Sequence, residues 1–317
     1  MSKIKVKILG TGAYLPSQPI SSEELELKLG FSPGTFEKTS GVRNRHHANE
    51  ETSSEMGAQA ALAAIEASGI DPNEIDAIVS VSGVAQQAIP STAALIHNKL
   101  GLKSGVAFDI NSSCLSFLTG LDCMGNMISQ GTYRYVLLIS SDIPSHGVNP
   151  EDPKTASLFG DGAAAVILGP SETAGILASH FEMKSENIED CQCKGGGTLQ
   201  ASKEQSYFRM NGPRLFKAVI PPVMKMIRSI FDRTQEKIDL YIPHQASPFA
   251  LDLLQKKLKL SDSKIVNIVR EYGNMVATSL PFALHQAIQT CRVKRGDRVL
   301  LFGTGAGLTI GGVLLEY

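Results

Sequence analysis

The sequence predicts an α/β protein made of two architecturally similar halves. Three observations carry that expectation. Short apolar runs of strand length alternate with stretches of helical period along the chain. In each half one such run leads to a side chain capable of chemistry, Cys114 in the first and His244 in the second. A glycine-rich turn, Gly303-Thr304-Gly305-Ala306-Gly307, follows another strand near the end. Ligands of α/β sheets collect at such strand ends. With 317 residues the chain is long enough for two domains, and the boundary is expected around Gly169-Pro170-Ser171-Glu172, giving 1–170 and 171–317.

Met1 to Ile8 alternates charged and apolar residues and reads as a strand rather than a signal peptide. Ser54 to Ser68 follows as a helix, then Ile75 to Val81 as a strand. The apolar run Gly105 to Ile110 reads as a buried strand running into the Cys114 turn. Beyond that turn Phe117, Leu121, Met124 and Ile128 recur at i, i+4, i+7 and i+11, one buried face of a helix. Tyr135 to Ser141 and, after the turn Phe159-Gly160-Asp161-Gly162, Ala163 to Leu168 are further strands. Residues 183–212 are polar and glycine-bearing, and read as a loop excursion. Ile238 to Ile242 leads to His244, Pro248 to Leu258 is a helix, and Arg298 to Phe302 leads to the glycine-rich turn.

Charge and cysteine content exclude several classes. The formal net charge is -1, with 30 basic and 31 acidic residues, which gives no electrostatic case for nucleic-acid or membrane binding. No apolar run reaches the roughly 18 residues of a membrane span. The five cysteines are odd in number and scattered, so no disulfide framework is expected. Cys191-Gln192-Cys193 lacks the partners of a zinc site and reads as loop cysteines in a cytoplasmic protein. No metal is expected.

Cys114 is the leading candidate for chemistry. A thiol at a strand-to-helix junction faces the positive end of the helix, which favours thiolate, the form that attacks carbonyls. His244 follows a strand in Pro243-His244-Gln245-Ala246, and Asn274 sits in a Gly-Asn turn. Each alone is usually structural. If the strand ends converge, the set has a rationale: the thiolate takes an acyl group, His and Asn N–H groups stabilise an enolate, and backbone N–H groups hold tetrahedral oxyanions. The glycine-rich turn does not fit a dinucleotide fingerprint, because Gly307 lies ten residues before the last residue, Tyr317, with no room for the following helix.

With these motifs in hand, the sequence resembles the β-ketoacyl-acyl-carrier-protein synthases of type III, within the thiolase superfamily. The likeness runs through Gly41-Val42-Arg43-Asn44-Arg45-His46, the Cys114 segment, Phe159-Gly160-Asp161-Gly162-Ala163-Ala164, Pro243-His244-Gln245-Ala246, Gly273-Asn274 with Ser279-Leu280-Pro281, and Gly305-Ala306-Gly307. The resemblance implies a five-layer αβαβα fold, a homodimer, Cys114 as nucleophile, and His244 with Asn274 as the decarboxylation pair. It implies oxyanion-hole N–H groups from Cys114 and Ala306, and Ile89 as the residue lent to the partner's acyl pocket. The implied reaction joins a Cys114-bound acyl group to malonyl-acyl carrier protein, giving a 3-oxoacyl-acyl carrier protein. Substrates are acyl-CoA or acyl-carrier protein and malonyl-carrier protein, without a resident cofactor. The same scaffold also suits head-to-head condensation of long acyl chains, secondary-metabolite synthesis or acyl transfer to oxygen or nitrogen, and a catalytically silent carrier-binding subunit is the alternative of another class.

The sequence departs from the family at the mouth of the site. The aromatic–cation clamp that family members close on the adenine of coenzyme A falls at Thr35 and Thr39, and a second arginine position falls at Phe249; the chain has no tryptophan. Loss of such a stack removes about 0.5 to 2 kcal/mol. Either coenzyme A binds weakly or through other residues such as Lys38 or Arg43, or, as the lost clamp favours, the donor is carrier-bound or non-acetyl. Arg214, Lys217, Lys225 and Arg228 fall on one helical face that suits an acidic carrier protein, although Pro221-Pro222 is expected to break or kink that helix. Arg43, with Arg45, His46 and His47, forms a basic cluster that suits a phosphate.

Overall fold

The computed structural model describes residues 3–173 and 175–317, so Met1 and Ser2 of the expected first strand lie outside the described residues. Two sheets organise the chain. The first has five strands in the order Val6–Tyr14, Gly162–Pro170, Val136–Asp142, Ala77–Ser80, Val106–Asp109. Ala77–Ser80 runs parallel to both neighbours, and Gly162–Pro170 antiparallel to both of its own. The second has four, Leu240–Pro243, Arg298–Gly305, Thr309–Glu316 and Ile176–Met183, with only the first pair parallel.

Alternation along the strands builds the layers. Val79 and Leu138 turn inward, onto a central cluster that also holds Leu118, Leu121, Leu280, Leu284, Leu301 and Val313. Those residues belong to the helices Ser116–Ser129 and Ser279–Gln289 and to the second sheet. Ile78, Leu137 and Ile139, one residue out of phase, turn outward to the helix Ser53–Ser68. On the far side Leu300, Phe302 and Leu314 meet the helices Gly212–Thr234 and Pro248–Leu258. The stack is therefore helix, sheet, helix, sheet, helix. The expected periodicity at Phe117, Leu121, Met124 and Ile128 is the buried face of Ser116–Ser129. Burying each such side chain contributes roughly 1.5–3 kcal/mol.

Three expectations need correction. The run before Cys114 is not a buried strand: Val106–Asp109 is the sheet edge, bonded only to Ala77–Ser80, and Val106 stays 47% exposed. Among the described residues no strand pairs with its other side. The 183–212 excursion is not featureless. Cys191–Gln192 pairs antiparallel with Arg209–Met210, and the turn Ser185–Asp190 precedes it. Pro221 and Pro222 do not end the helix: Gly212–Thr234 continues through them. Val223, Met226, Ile227 and Ile230, buried against the second sheet, offset the two lost backbone bonds. No helix among the described residues is long and apolar enough to cross a membrane.

Candidate active site

Cys114 sits in a tight, strained turn. Ser113, just before it, has φ 55°, a left-handed conformation that costs a non-glycine residue energy and persists only where neighbours hold it. Here the Asn111 Oδ1 accepts from the Ser113 N–H at 2.9 Å, and the Ser116 hydroxyl closes the turn on both sides, donating to Ser113 O at 2.7 Å and accepting from Ser112 N at 2.9 Å. The Ser116–Ser129 helix then begins two residues after the cysteine.

The strand Arg298–Gly305 joins the two halves of the site. A methyl group on Gly303 would stand 2.5 Å from His244 Cβ, and one on Gly305 would stand 3.6 Å from Cys114 N and 3.2 Å from Ser112 O. Side chains at alternate strand residues share a face. One strand end therefore packs against His244 and the Cys114 turn through two residues that carry no side chain. Immediately beyond it, the backbone N–H groups of Ala306 and Cys114 face the sulfur. His244 is anchored by its N–H to Phe302 O at 2.7 Å.

Asn274 is held at both ends. Its Nδ2 donates to Ala246 O at 3.2 Å, two residues after His244, and its Oδ1 accepts from Val276 N at 2.8 Å. Its backbone is clasped by Leu158 O at 2.9 Å and Gly160 N at 3.2 Å. Only one Nδ2 hydrogen is used in this way, so the second remains for another acceptor. Gln245 fixes the intervening segment, donating to Pro243 O and Val266 O and accepting from Ile268 N.

Burial sets the charge states. It pushes the Cys114 thiol up to about 11; the Ser113 hydroxyl at 3.9 Å and the N–H groups of Cys114 and Ala306 oppose this, while the Asp142 carboxylate adds to the rise. The thiolate expected from the helix start is therefore not the resting form, because enclosure of the sulfur outweighs the nearby N–H groups. Burial alone pulls His244 down to about 4, so the ring is neutral at pH 7. Its Nδ1 is buried without a partner. Among the described residues no group of three or more His, Cys, Asp or Glu could hold a metal ion.

The other candidates disperse. Ile89 is 85% exposed in the single chain. Arg43 lies between Glu37 and Glu271, at 3.9 and 3.4 Å, while Arg45 is fully buried on Ser157 O and Ser22 Oγ, so the basic cluster is not one surface. Arg214 pairs with Asp190 at 3.1 Å, and Lys217 is exposed nearby. A cavity of about 720 Å³ opens beside the site, lined by Thr39, Leu158, Arg209, Asn211, Ser247 and Phe249 among others. The Thr35 and Thr39 hydroxyls are turned onto their own backbone, donating to Ser32 O and Thr35 O at 2.6 Å. Cys191 lies in a short strand rather than a loop, and burial pushes its thiol up to about 12. Asp142 was not singled out from sequence, although a carboxylate ending the strand Val136–Asp142 is a readable signal.

A five-layer stack that brings a thiol turn and a neutral imidazole to one strand, with a carboxamide tied to the segment just after that imidazole, defines a condensing enzyme of the thiolase fold, an acyltransferase class. Comparison with known proteins narrows this. Residues 108–185 match the family model 3-Oxoacyl-[acyl-carrier-protein (ACP)] synthase III, and residues 232–317 match that of its C-terminal region. The chain is 36% identical over 326 aligned positions to beta-ketoacyl-[acyl-carrier-protein] synthase III of Natranaerobius thermophilus, covering 98% of this chain and 99% of that protein. The crystal structure of 3-oxoacyl-[acyl-carrier-protein] synthase III from Aquifex aeolicus superposes with TM-score 0.91 at 35% identity, covering 98% of this chain and all of the other. That from Pseudomonas aeruginosa superposes at 0.88 and 31%, covering 99% and 98%. The protein belongs to the 3-oxoacyl-[acyl-carrier-protein] synthase III family.

Proposed function

We propose that the protein performs the initiating condensation of fatty acid synthesis, joining an acyl group carried on Cys114 to malonyl-acyl carrier protein with loss of CO2. Cys114 displaces the carrier thiol of an acyl thioester, forming a Cys114 thioester as its proton leaves with that thiol. The malonyl thioester then loses CO2 to give an enolate whose oxygen accepts from His244 and Asn274. The enolate carbon attacks the Cys114 thioester, and the tetrahedral oxyanion is held by the Cys114 and Ala306 N–H groups before the cysteine leaves. The 3-oxoacyl-carrier protein results, and the cysteine regains a proton. One observation carries this reading: the N–H groups of Cys114 and Ala306 converge beside the same strand end that packs on a neutral His244. A neutral imidazole protonated on Nε2 donates to an enolate and leaves Nδ1 as a lone pair, which suits its partnerless burial.

The mouth of the cavity favours a donor held by a carrier protein over coenzyme A, because Thr39 and Phe249 stand there. Lys217 and Arg214 suit contact with an acidic carrier, Arg214 in part through its pair with Asp190. A homodimer fits the apolar sheet edge Val106–Asp109 and the exposed Ile89, which the partner's acyl pocket would bury. Five free thiols suit a reducing cytoplasm. Intact-mass measurement after incubation with acyl-CoAs and acyl-carrier proteins tests the reading. Acyl mass appears on wild type and is absent from Cys114→Ala, then disappears on addition of malonyl-carrier protein. A wild-type protein that takes up no acyl mass from any donor refutes it.

A further inference from the structure

We infer that Asp142, acting through Asn111 and Thr278, is a positioning residue that sets the Cys114 turn against the Asn274 turn; the inference rests on the condensing role proposed above. The carboxylate lies at the end of a central strand of the first sheet and is 2% exposed. Oδ1 accepts from Gly83 N at 2.8 Å and Val84 N at 3.3 Å. Oδ2 accepts from Thr278 N at 3.0 Å, from Thr278 Oγ1 at 3.1 Å and from Ser140 Oγ at 3.5 Å.

Each oxygen leads to a different part of the site. On one side the Gly83 carbonyl accepts from Asn111 Nδ2 at 3.0 Å, and Asn111 Oδ1 in turn accepts from the strained Ser113 N–H next to Cys114. On the other side Thr278 ends the Val276–Thr278 turn, whose first N–H donates to Asn274 Oδ1 at 2.8 Å. The two arms also touch, since a methyl on Gly83 would meet the Val276 side chain at 2.4 Å. The carboxylate thus ties a segment of the first half to one of the second. Only an acceptor-only group serves both arms: an asparagine at 142 offers one oxygen and turns its NH2 toward N–H donors on the other side.

The arms can be weakened separately, Thr278→Val removing the hydroxyl bond and leaving the backbone one, and the half-reactions read separately by quenched intact mass: gain of acyl mass on Cys114, and its loss on mixing with malonyl-carrier protein. Asn111→Ala is expected to slow the gain about 3- to 10-fold and the loss to a smaller extent, because the Cys114 N–H also serves the condensation oxyanion. Thr278→Val is expected to slow the loss about 3- to 10-fold and leave the gain within twofold, with Thr278→Ser restoring the wild-type rate of loss. Asp142→Asn is expected to slow both at least tenfold. The inference is overturned if Asn111→Ala and Thr278→Val slow both half-reactions by a common factor that follows their loss of melting temperature, or if neither half-reaction changes. Those two variants carry the test should Asp142→Asn fail to fold. A wild type that takes up no acyl mass refutes the proposed reaction instead. The positioning role is then read from iodoacetamide alkylation of Cys114, where Asn111→Ala shifts the rate at least threefold and Thr278→Val does not; equal rates in all three proteins overturn it.

Discussion

Gly303→Ala offers a sharp test of how the site is assembled. Gly303 is buried in the middle of the second sheet, and a methyl there would stand 2.5 Å from His244 Cβ and 3.3 Å from His244 N. Ordinary contact begins near 3.4 Å, so His244 must move by roughly 0.9 Å. A displacement of about 1 Å at a catalytic group can cost on the order of 10²-fold in rate, whereas the overpacking itself costs about 1–3 kcal/mol of stability. The loss should fall on one half-reaction. The step that consumes the acyl-enzyme slows on the order of 100-fold, and formation of the acyl-enzyme stays within a few-fold, because Cys114 touches Gly305 rather than Gly303. Rapid-quench mass spectrometry of the two steps, alongside melting curves, reads this directly. A variant that consumes its acyl group at the wild-type rate, or that loads as poorly as it condenses, would refute the inferred division of this strand between His244 and Cys114.

Other expectations follow from the same geometry. Gly305→Ala brings a methyl to 3.2 Å from Ser112 O and 3.6 Å from Cys114 N, so, unlike Gly303→Ala, it should slow acyl loading as well as consumption, by the same quench assay. With its thiol pushed up to about 11, Cys114 should be alkylated by iodoacetamide slowly at pH 7 and progressively faster up to pH 10, against a Cys114→Ala blank in peptide mapping. His244 is held near 4 against 6.5 when unfolded, so it withdraws stability as pH falls from 6.5 to 4, on the order of 3 kcal/mol; Asp142, raised to about 6 from 3.8, returns a similar amount over nearly the same window. Urea titrations should therefore show His244→Asn gaining stability relative to wild type as pH falls from 6.5 to 4, and a constant difference would refute these burial effects. Val106→Asp, at the sheet edge, tests the proposed homodimer: sedimentation should show wild type as a dimer and the variant as a monomer of lower activity, and a monomeric wild type or an unchanged variant would refute that assembly.

Much of this was legible in the chain because strand and helix periods leave local marks. Leu240–Pro243 and Arg298–Gly305 follow from their apolar runs, and the helix Pro248–Leu258 begins and ends where its pattern does. What the sequence could not show was environment. The run before Cys114 looks like any buried strand, and only the sheet order reveals it as an edge. Pro221-Pro222 reads as a break, yet tertiary packing of Val223, Met226, Ile227 and Ile230 overrides that local preference. Arg43 and Arg45 are neighbours in a basic run, but alternate burial sends one to solvent-facing carboxylates and the other into the interior.

The charge states illustrate the same limit, and they bear on how such a site works. From the strand-to-helix junction alone a thiolate is the natural expectation, because the nearby N–H groups are all that a sequence pattern reveals. The enclosure that overrides it also neutralises His244, so both groups rest uncharged. A thiolate–imidazolium pair would bring its own field to every step, and an imidazolium would pair with the incoming carboxylate and oppose its departure as CO2. An uncharged site instead holds its N–H dipoles ready and stabilises charge only where the reaction creates it, on the enolate and the oxyanion, where a low-dielectric setting makes each hydrogen bond worth more. Mutations that admit water beside His244 should therefore raise its pKa and slow condensation together, even when no catalytic side chain is replaced.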